Sequence, residues 1–319
     1  MLFLAACSWG INMPVMKALA DEQSLLVPAV GSMTGSAAGM AVRFAAAATF
    51  VTLLSRISLR RILPVEWVNG IGLGVITSAG MWLQTDGLNY TSASTAGFLI
   101  AMYCILLPLF AWVSGRRKMT LHLAVCCLLV ITGIAALTGI SVHSFSLGRG
   151  EVECLGAAIL FTVQILWVDR FVPGTYEPTR LTWVLCVSVA VLCAIPVALL
   201  PGGLSVMIAT HASTRAVLLS VYLAVIGTAI PFLIMNRFQS KVNPTSAGFI
   251  YCAEPVSTAV FALFLPELLV RAGALYANES FSLRLAVGGA LILAANFILL
   301  RNPEMKAAEN TENKRGLQK

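Results

Sequence analysis

Charge is what this sequence has least of. Only 11% of its 319 residues are Asp, Glu, Lys or Arg, against about 25% in an ordinary soluble chain. So few charges cannot cover the surface of a folded sphere of this size, which excludes a pair of soluble domains. Histidine is nearly absent as well, with three residues. None lies four residues from another on one helix, and none pairs by sequence position with a buried Ser or Cys, so metalloenzyme and triad chemistries have no foothold. The eight cysteines form no CxxC pair and lie in or beside apolar runs, which excludes a disulfide framework and a thiolate metal site. Glycine-rich phosphate loops and Walker motifs are missing too, so the chain carries no nucleotide-driven pump.

Apolar sequence is there in abundance, 58% of residues spread along the whole length. Ten spans of about 20 residues would account for it. The spacing of apolar runs and polar breaks puts them at 1–19, 35–54, 67–86, 92–114, 120–140, 152–171, 181–200, 214–236, 245–268 and 282–300, followed by a polar tail at 301–319. The expected fold is therefore an all-α integral membrane protein with ten transmembrane helices. Leu4-Ala5-Ala6-Cys7 spells a lipoprotein-type cleavage box. Only three uncharged residues precede it, so the segment reads as the first span and not as a leader.

The net charge of +7 points to membrane topology and not to nucleic acid. Its cations cluster between spans, as at Arg56, Arg60 and Arg61 and at Arg116, Arg117 and Lys118. With both termini inside, fifteen Lys and Arg fall in the cytoplasm and four outside, as the positive-inside rule requires. This orientation suits a bacterial inner membrane.

The sequence also repeats. Ser94-Thr95-Ala96-Gly97-Phe98-Leu99 matches Thr245-Ser246-Ala247-Gly248-Phe249-Ile250 at a spacing of 151, and Leu121–Val125 matches Leu283–Val287 at 162. The matches start the fourth and ninth spans, then the fifth and tenth. They divide the chain into five-helix halves at 1–140 and 152–300, joined by a loop at 141–151. Because five is odd, the second half enters the membrane upside down. Two inverted repeats with a site at the midplane between them are an architecture of secondary transporters.

Ser8-Trp9-Gly10-Ile11-Asn12-Met13-Pro14-Val15-Met16-Lys17 in the first span resembles the W-G-x-N-x-x-x-x-K opening of the EamA family in the drug/metabolite transporter superfamily. Ala253-Glu254-Pro255-Val256 in the ninth is similar to that family's L-E-P-V element, and Asn236-Arg237 after Met235 to its W-N-x-A stretch. The family's frequent Gly-Glu after the fourth and ninth spans is replaced by Gly115-Arg116 and Pro266-Glu267. The resemblance implies a carrier of small molecules, often an exporter of amino-acid-like compounds, other metabolites or drugs. It implies no enzyme activity. The expected partners are a small-molecule substrate, the lipid bilayer and a coupling proton or ion. A homodimer is compatible with the sequence; no nucleic acid, metal or cofactor is expected. An intramembrane enzyme acting on a lipid or peptide is the alternative.

Polar residues inside spans are the site candidates, because such groups are costly in hydrocarbon unless they face a cavity or a partner. Glu254 lies about 13 Å into its helix, near the middle of the membrane, and is suited either to a protonation switch or to bracing two helices. Pro255 leaves the Tyr251 carbonyl without its helical donor and favours a bend. Tyr103 occupies the position equivalent to Glu254 at the 151 spacing, and Tyr251 stands one turn before Glu254; each could offer a hydroxyl or a stacking face to substrate. Arg43, about 12 Å deep, is expected to bind a carboxylate, pair with Glu254 or snorkel. Lys17 is nearer an end and snorkels readily. Trp9 and Asn12 share a helical face, and Trp82, Gln84 and Gln164 complete the set. Each also has a plain packing role to set against the functional one. Gly31, Gly35 and Gly39, with Gly70 and Gly74, read as small-residue surfaces for close helix packing.

Overall fold

The computed structural model describes residues 1–55, 61–114, 120–138, 147–172, 176–242, 244–251, 253–269 and 276–301. The loop cations Arg56, Arg60 and Arg116–Lys118, most of the 141–151 connection and the polar tail lie outside them. Every regular element among the described residues is helical. Six helices are long and apolar enough to cross a bilayer, and shorter apolar helices cover 124–133 and 283–295.

Three long helices open the chain: α1 (Leu2–Leu26), α2 (Ser32–Ser55) and α3 (Pro64–Gly87). Helix α1 runs seven residues past the apolar stretch because its acidic end is held by partners, Glu22 accepting from Ser213 at 2.6 Å. A broken segment, α4 (Ala93–Ile100) and α5 (Tyr103–Val113), leads to α6 (Leu121–Thr138). Ser92 starts α4 as an N-cap, its hydroxyl accepting from the Thr95 amide at 3.0 Å.

Next come α7 (Arg149–Phe171), α8 (Pro178–Ala198) and the short α9 (Gly203–Ala209). Helices α10 (Thr214–Ala224) and α11 (Ile230–Phe238) are joined by a π-helical turn, Val225–Ala229, and followed by a 3₁₀ turn at Gln239–Lys241. Helices α12 (Pro244–Tyr251) and α13 (Ala253–Ala262) precede α14 (Pro266–Leu269) and α15 (Leu283–Arg301). The sequence predicts an unbroken helix over 92–114, whereas the helix is interrupted at Ala101–Met102.

Helix pairs that pack most extensively are α6 with α15, α2 with α8, α3 with α7 and α8, and α1 with α13. Several contacts come in reciprocal pairs. A Cβ on Gly97 would lie 3.0 Å from the Thr258 hydroxyl, and one on Gly248 2.8 Å from Leu107. The two contacts are reciprocal, since Gly97 and Gly248 stand 151 apart and so do Leu107 and Thr258. Gly133 would likewise meet the Gly288 carbonyl at 3.0 Å. The Cys126 thiol donates to the Ala295 carbonyl at 3.2 Å, and those two pairs interconvert at 162.

Not every glycine in the expected packing surfaces packs. Gly70 would meet Val184 at 2.5 Å, in keeping with close approach of α3 and α8, whereas Gly31 and Gly35 have nothing within 4 Å of a Cβ. Gly133→Val should therefore lower stability by about 1–3 kcal/mol through overpacking. Gly35→Ala should raise it by about 0.5–1 kcal/mol by removing helix entropy. Thermal melting of the purified variants checks both signs.

Candidate functional site

A cavity of about 70 Å³ lies where α1, α2, α3, α5, α7, α11, α12 and α13 meet. Eight of the ten candidates read from the sequence line it. Trp9, Asn12 and Arg43 come from the first two helices and Gln84 from the third, with Tyr103, Gln164, Tyr251 and Glu254 completing the wall. The other two sit elsewhere. Lys17 donates to the Thr91 carbonyl and holds its ammonium 5.6 Å from the Tyr276 ring centre. It is thus anchored within the helix bundle and does not snorkel to a lipid surface. Trp82 donates its indole N–H to the Met33 carbonyl at 2.8 Å, tying α3 to α2.

Close backbone approach assembles the wall. The Gly10 carbonyl accepts from Thr258 Oγ1 at 3.1 Å, and a Cβ on Gly10 would lie 2.5 Å from Ser257 Cβ. Only glycine lets α1 press so closely on α13, which brings Trp9 and Asn12 beside Glu254. The Trp9 ring then packs edge-on against Tyr251 at 5.5 Å and Phe232 at 5.8 Å.

Glu254 is 6% exposed. Its Oε2 accepts from the Tyr103 hydroxyl at 3.1 Å, and the same hydroxyl lies 3.1 Å from the Tyr251 carbonyl. That carbonyl is the one Pro255 deprives of a helical donor, so the expected consequence of the proline has a defined acceptor geometry. One hydroxyl proton faces two acceptors, and Tyr103 and Glu254, related by the 151 spacing, touch each other. The Tyr251 hydroxyl in turn donates to Gln239 Oε1 at 2.8 Å, and Gln239 donates to the Ile165 carbonyl at 3.3 Å.

Arg43 forms no ion pair with Glu254. Its Nε donates to Thr228 Oγ1 at 2.7 Å and its Nη2 to the Gly227 carbonyl at 3.2 Å. Both acceptors belong to the π-helical turn, where the extra residue breaks the regular ladder and turns backbone carbonyls to side chains. The Ile226 carbonyl of that turn accepts from Ser8 Oγ at 2.7 Å. A neutral hydroxyl and a carbonyl therefore bind the guanidinium, and its charge stays available to an anion in the cavity.

Asn12 packs against Gly227, where a Cβ would lie within 3.0 Å of its amide, and neither amide atom has a hydrogen-bond partner although the residue is 2% exposed. Gln164, 152 residues further on, accepts from Thr77 at 3.2 Å. Gln84 donates to Met13 Sδ at 3.1 Å. The sequence reading missed Phe161, Phe232, Met16, Met81, Ile165 and Met235, which supply the apolar wall. Phe161 was findable, because it stands 152 residues from Trp9 just as Gln164 stands from Asn12.

Residues 1–139 match the model of the EamA-like transporter family, a branch of the drug/metabolite transporter superfamily. A protein named as an uncharacterized transporter, from Archaeoglobus fulgidus, is 25% identical over 269 residues, covering 84% of this chain and 78% of its own. A solved crystal structure with no functional name superposes with a TM-score of 0.55 at 20% identity, over 90% of this chain and 95% of that one. The apolar helices are those of a multi-pass integral membrane protein, and its first 139 residues are similar to the EamA-like transporter family.

Because Arg43 and Glu254 hold separate partners, their neutral variants should not compensate each other. The Glu254→Gln and Arg43→Gln effects on melting should add to within about 0.5 kcal/mol in the double variant. A recovery of stability in the double variant would instead reveal a hidden ion pair.

Proposed function

We propose that the protein is a secondary active transporter that carries small polar or amphipathic metabolites, amino-acid-like compounds or drugs by alternating access. Two five-helix halves, inverted relative to each other, make up ten spans and share the central cavity. The reciprocal contacts at spacings of 151 and 162 support that architecture. Both termini face the cytoplasm on the balance of loop cations, and export is the working direction. A homodimer remains compatible with this reading.

One observation carries the proposal: Tyr103 and Glu254, one from each half, meet in a buried cavity that also holds Arg43 and Trp9. Contact between repeat-related residues supports a local symmetry axis through the cavity. The proton positions follow from the donors present. When Glu254 is ionised, it accepts the Tyr103 hydroxyl proton. When Glu254 is protonated, its own O–H donates to Tyr103 and frees that hydroxyl to donate to the Tyr251 carbonyl. A proton at Glu254 thus adds the Tyr251 carbonyl to what the Tyr103 hydroxyl holds.

Arg43 and Asn12 offer a cation and an amide to the polar end of a substrate, while Trp9, Phe161 and Phe232 receive its apolar part. Counterflow of pooled labelled metabolites into proteoliposomes, without ATP, tests carriage itself. Glu254→Gln should abolish uptake driven by a pH gradient and retain substrate–substrate exchange, since exchange needs no net proton release. Wild-type pH-driven uptake in Glu254→Gln would end the proton role; absence of counterflow with every pool would end the transporter reading.

A further inference from the structure

We propose that Asp86 and Glu153 bind one proton between them, and that this proton fastens the end of α3 to the start of α7. The site lies apart from the central cavity, which neither residue lines, and it stands independently of the carrier reading above. Backbone contact brings the two acids together. A Cβ on Gly87 would lie 3.0 Å from the Gly150 carbonyl oxygen, and one on Gly150 2.8 Å from the Gly87 carbonyl oxygen. Main chain therefore touches main chain where α3 ends and α7 begins. Asp86 is shut in completely, at 0% exposed, and the Glu153 side chain is 11% exposed.

One guanidinium serves both acids. Arg149 Nε donates to Glu153 Oε1 at 2.7 Å, Nη2 donates to Asp86 Oδ2, and Nη1 donates to the Tyr90 hydroxyl at 2.9 Å. The remaining carboxyl oxygens, Asp86 Oδ1 and Glu153 Oε2, are buried and have no hydrogen-bond donor among the described residues. They are not scattered, because the Glu153 carboxyl comes within hydrogen-bonding range of the Asp86 carboxyl. Other charges at this end are engaged elsewhere. Glu151 accepts from Thr91 Oγ1 at 2.8 Å. Lys17 of α1 donates to the Thr91 carbonyl and has Glu279 and Asp21 as its electrostatic partners. From α2 comes Ser32, bonded to the Tyr90 hydroxyl at 2.8 Å, and the Cys154 thiol of α7 packs on Gly87.

Two carboxylates and one guanidinium leave one negative charge over, and Arg149 itself is 48% exposed and shares its charge with solvent. An unpaired buried charge is costly, and carboxylates in contact do not ionise together. A single proton removes both costs. Placed on one acid, it donates to the spare oxygen of the other, and the cluster becomes neutral. When the proton leaves, two carboxylates repel each other across the junction of α3 with α7, and the junction parts. Cys154, 0% exposed and with its Sγ 3.1 Å from where a Cβ on Gly87 would lie, is uncovered by that movement. On the topology proposed above, this end faces away from the cytoplasm.

Two readouts on the full-length protein in nanodiscs test this. Infrared spectra are taken on a Glu254→Gln parent, so that the cavity carboxyl does not contribute. At neutral pH the parent should show the C=O band of a protonated carboxyl, and the band should vanish with Asp86→Asn and equally with Glu153→Gln. In either variant the new amide donates to the remaining carboxylate, so no proton is held. Alkylation of Cys154 by a maleimide, located by peptide mass, reads the junction itself. Its rate in the parent relative to that in Glu153→Gln should climb with pH by up to about tenfold per unit, as release of one proton requires. Taking the ratio cancels the thiol's own pH dependence. A band missing from the parent or surviving in either variant would overturn the proposal. So would a rate ratio that stays flat, or faster alkylation in the variants than in the parent, which is the mark of variants that merely unfold. Neither readout requires transport, so failure of counterflow and failure of the proton site are told apart.

Discussion

A carboxylate in the middle of a membrane protein constrains everything packed around it. Glu254 needs a donor and shelter from lipid, and the fold supplies both through Tyr103 and a ring of side chains drawn from several helices. Gly10 lets α1 reach α13, Pro255 opens the Tyr251 carbonyl, and the break before Tyr103 turns a hydroxyl toward the same point. Each feature makes little sense alone. Together they keep one ionisable group buried, hydrogen-bonded and reachable from a cavity.

Arg43 is the counterpart to that constraint, satisfied in a different way. The guanidinium uses the π-helical turn, whose displaced carbonyls and Thr228 hydroxyl bind it without cancelling its charge. Cation and carboxylate thus face one cavity from separate anchorages. Pairing them directly would have made a stable brace and left little to bind a substrate. Keeping them apart costs the protein a regular helix at Val225–Ala229 and retains two charged groups for ligand or proton.

Much of this was legible in the sequence, for a definite reason. Polar residues in apolar spans are rare enough to stand out, so Glu254, Arg43, Asn12 and Gln164 were visible as candidates, and the 151 spacing linked Tyr103 to Glu254 before any coordinates. The apolar wall was not legible, since Phe161, Phe232 and the methionines look like any other core residues; only the 152 spacing from Trp9 marks Phe161. Partner choice was not legible either. Arg43 has two plausible partners by depth alone, and nothing in the one-dimensional pattern announces a π-helical turn. The places of Lys17 and Trp82 outside the central cavity were not legible for a related reason: spacing along a helix gives a face and a depth, but not which neighbour stands opposite. The glycine stripe on α2 splits the same way, with Gly39 against a side chain and Gly31 and Gly35 against open space.

The account's central claim is that two inverted halves move against each other about the Tyr103–Glu254 contact. Spin labels test it most directly, placed at exposed positions at opposite ends of the bundle: Asn89 with Leu283 at one end, Leu121 with Phe171 at the other. As pH is lowered through the range in which transport operates, the account predicts that one interlabel distance lengthens while the other shortens. Two distances that stay fixed, or that lengthen together, would contradict it.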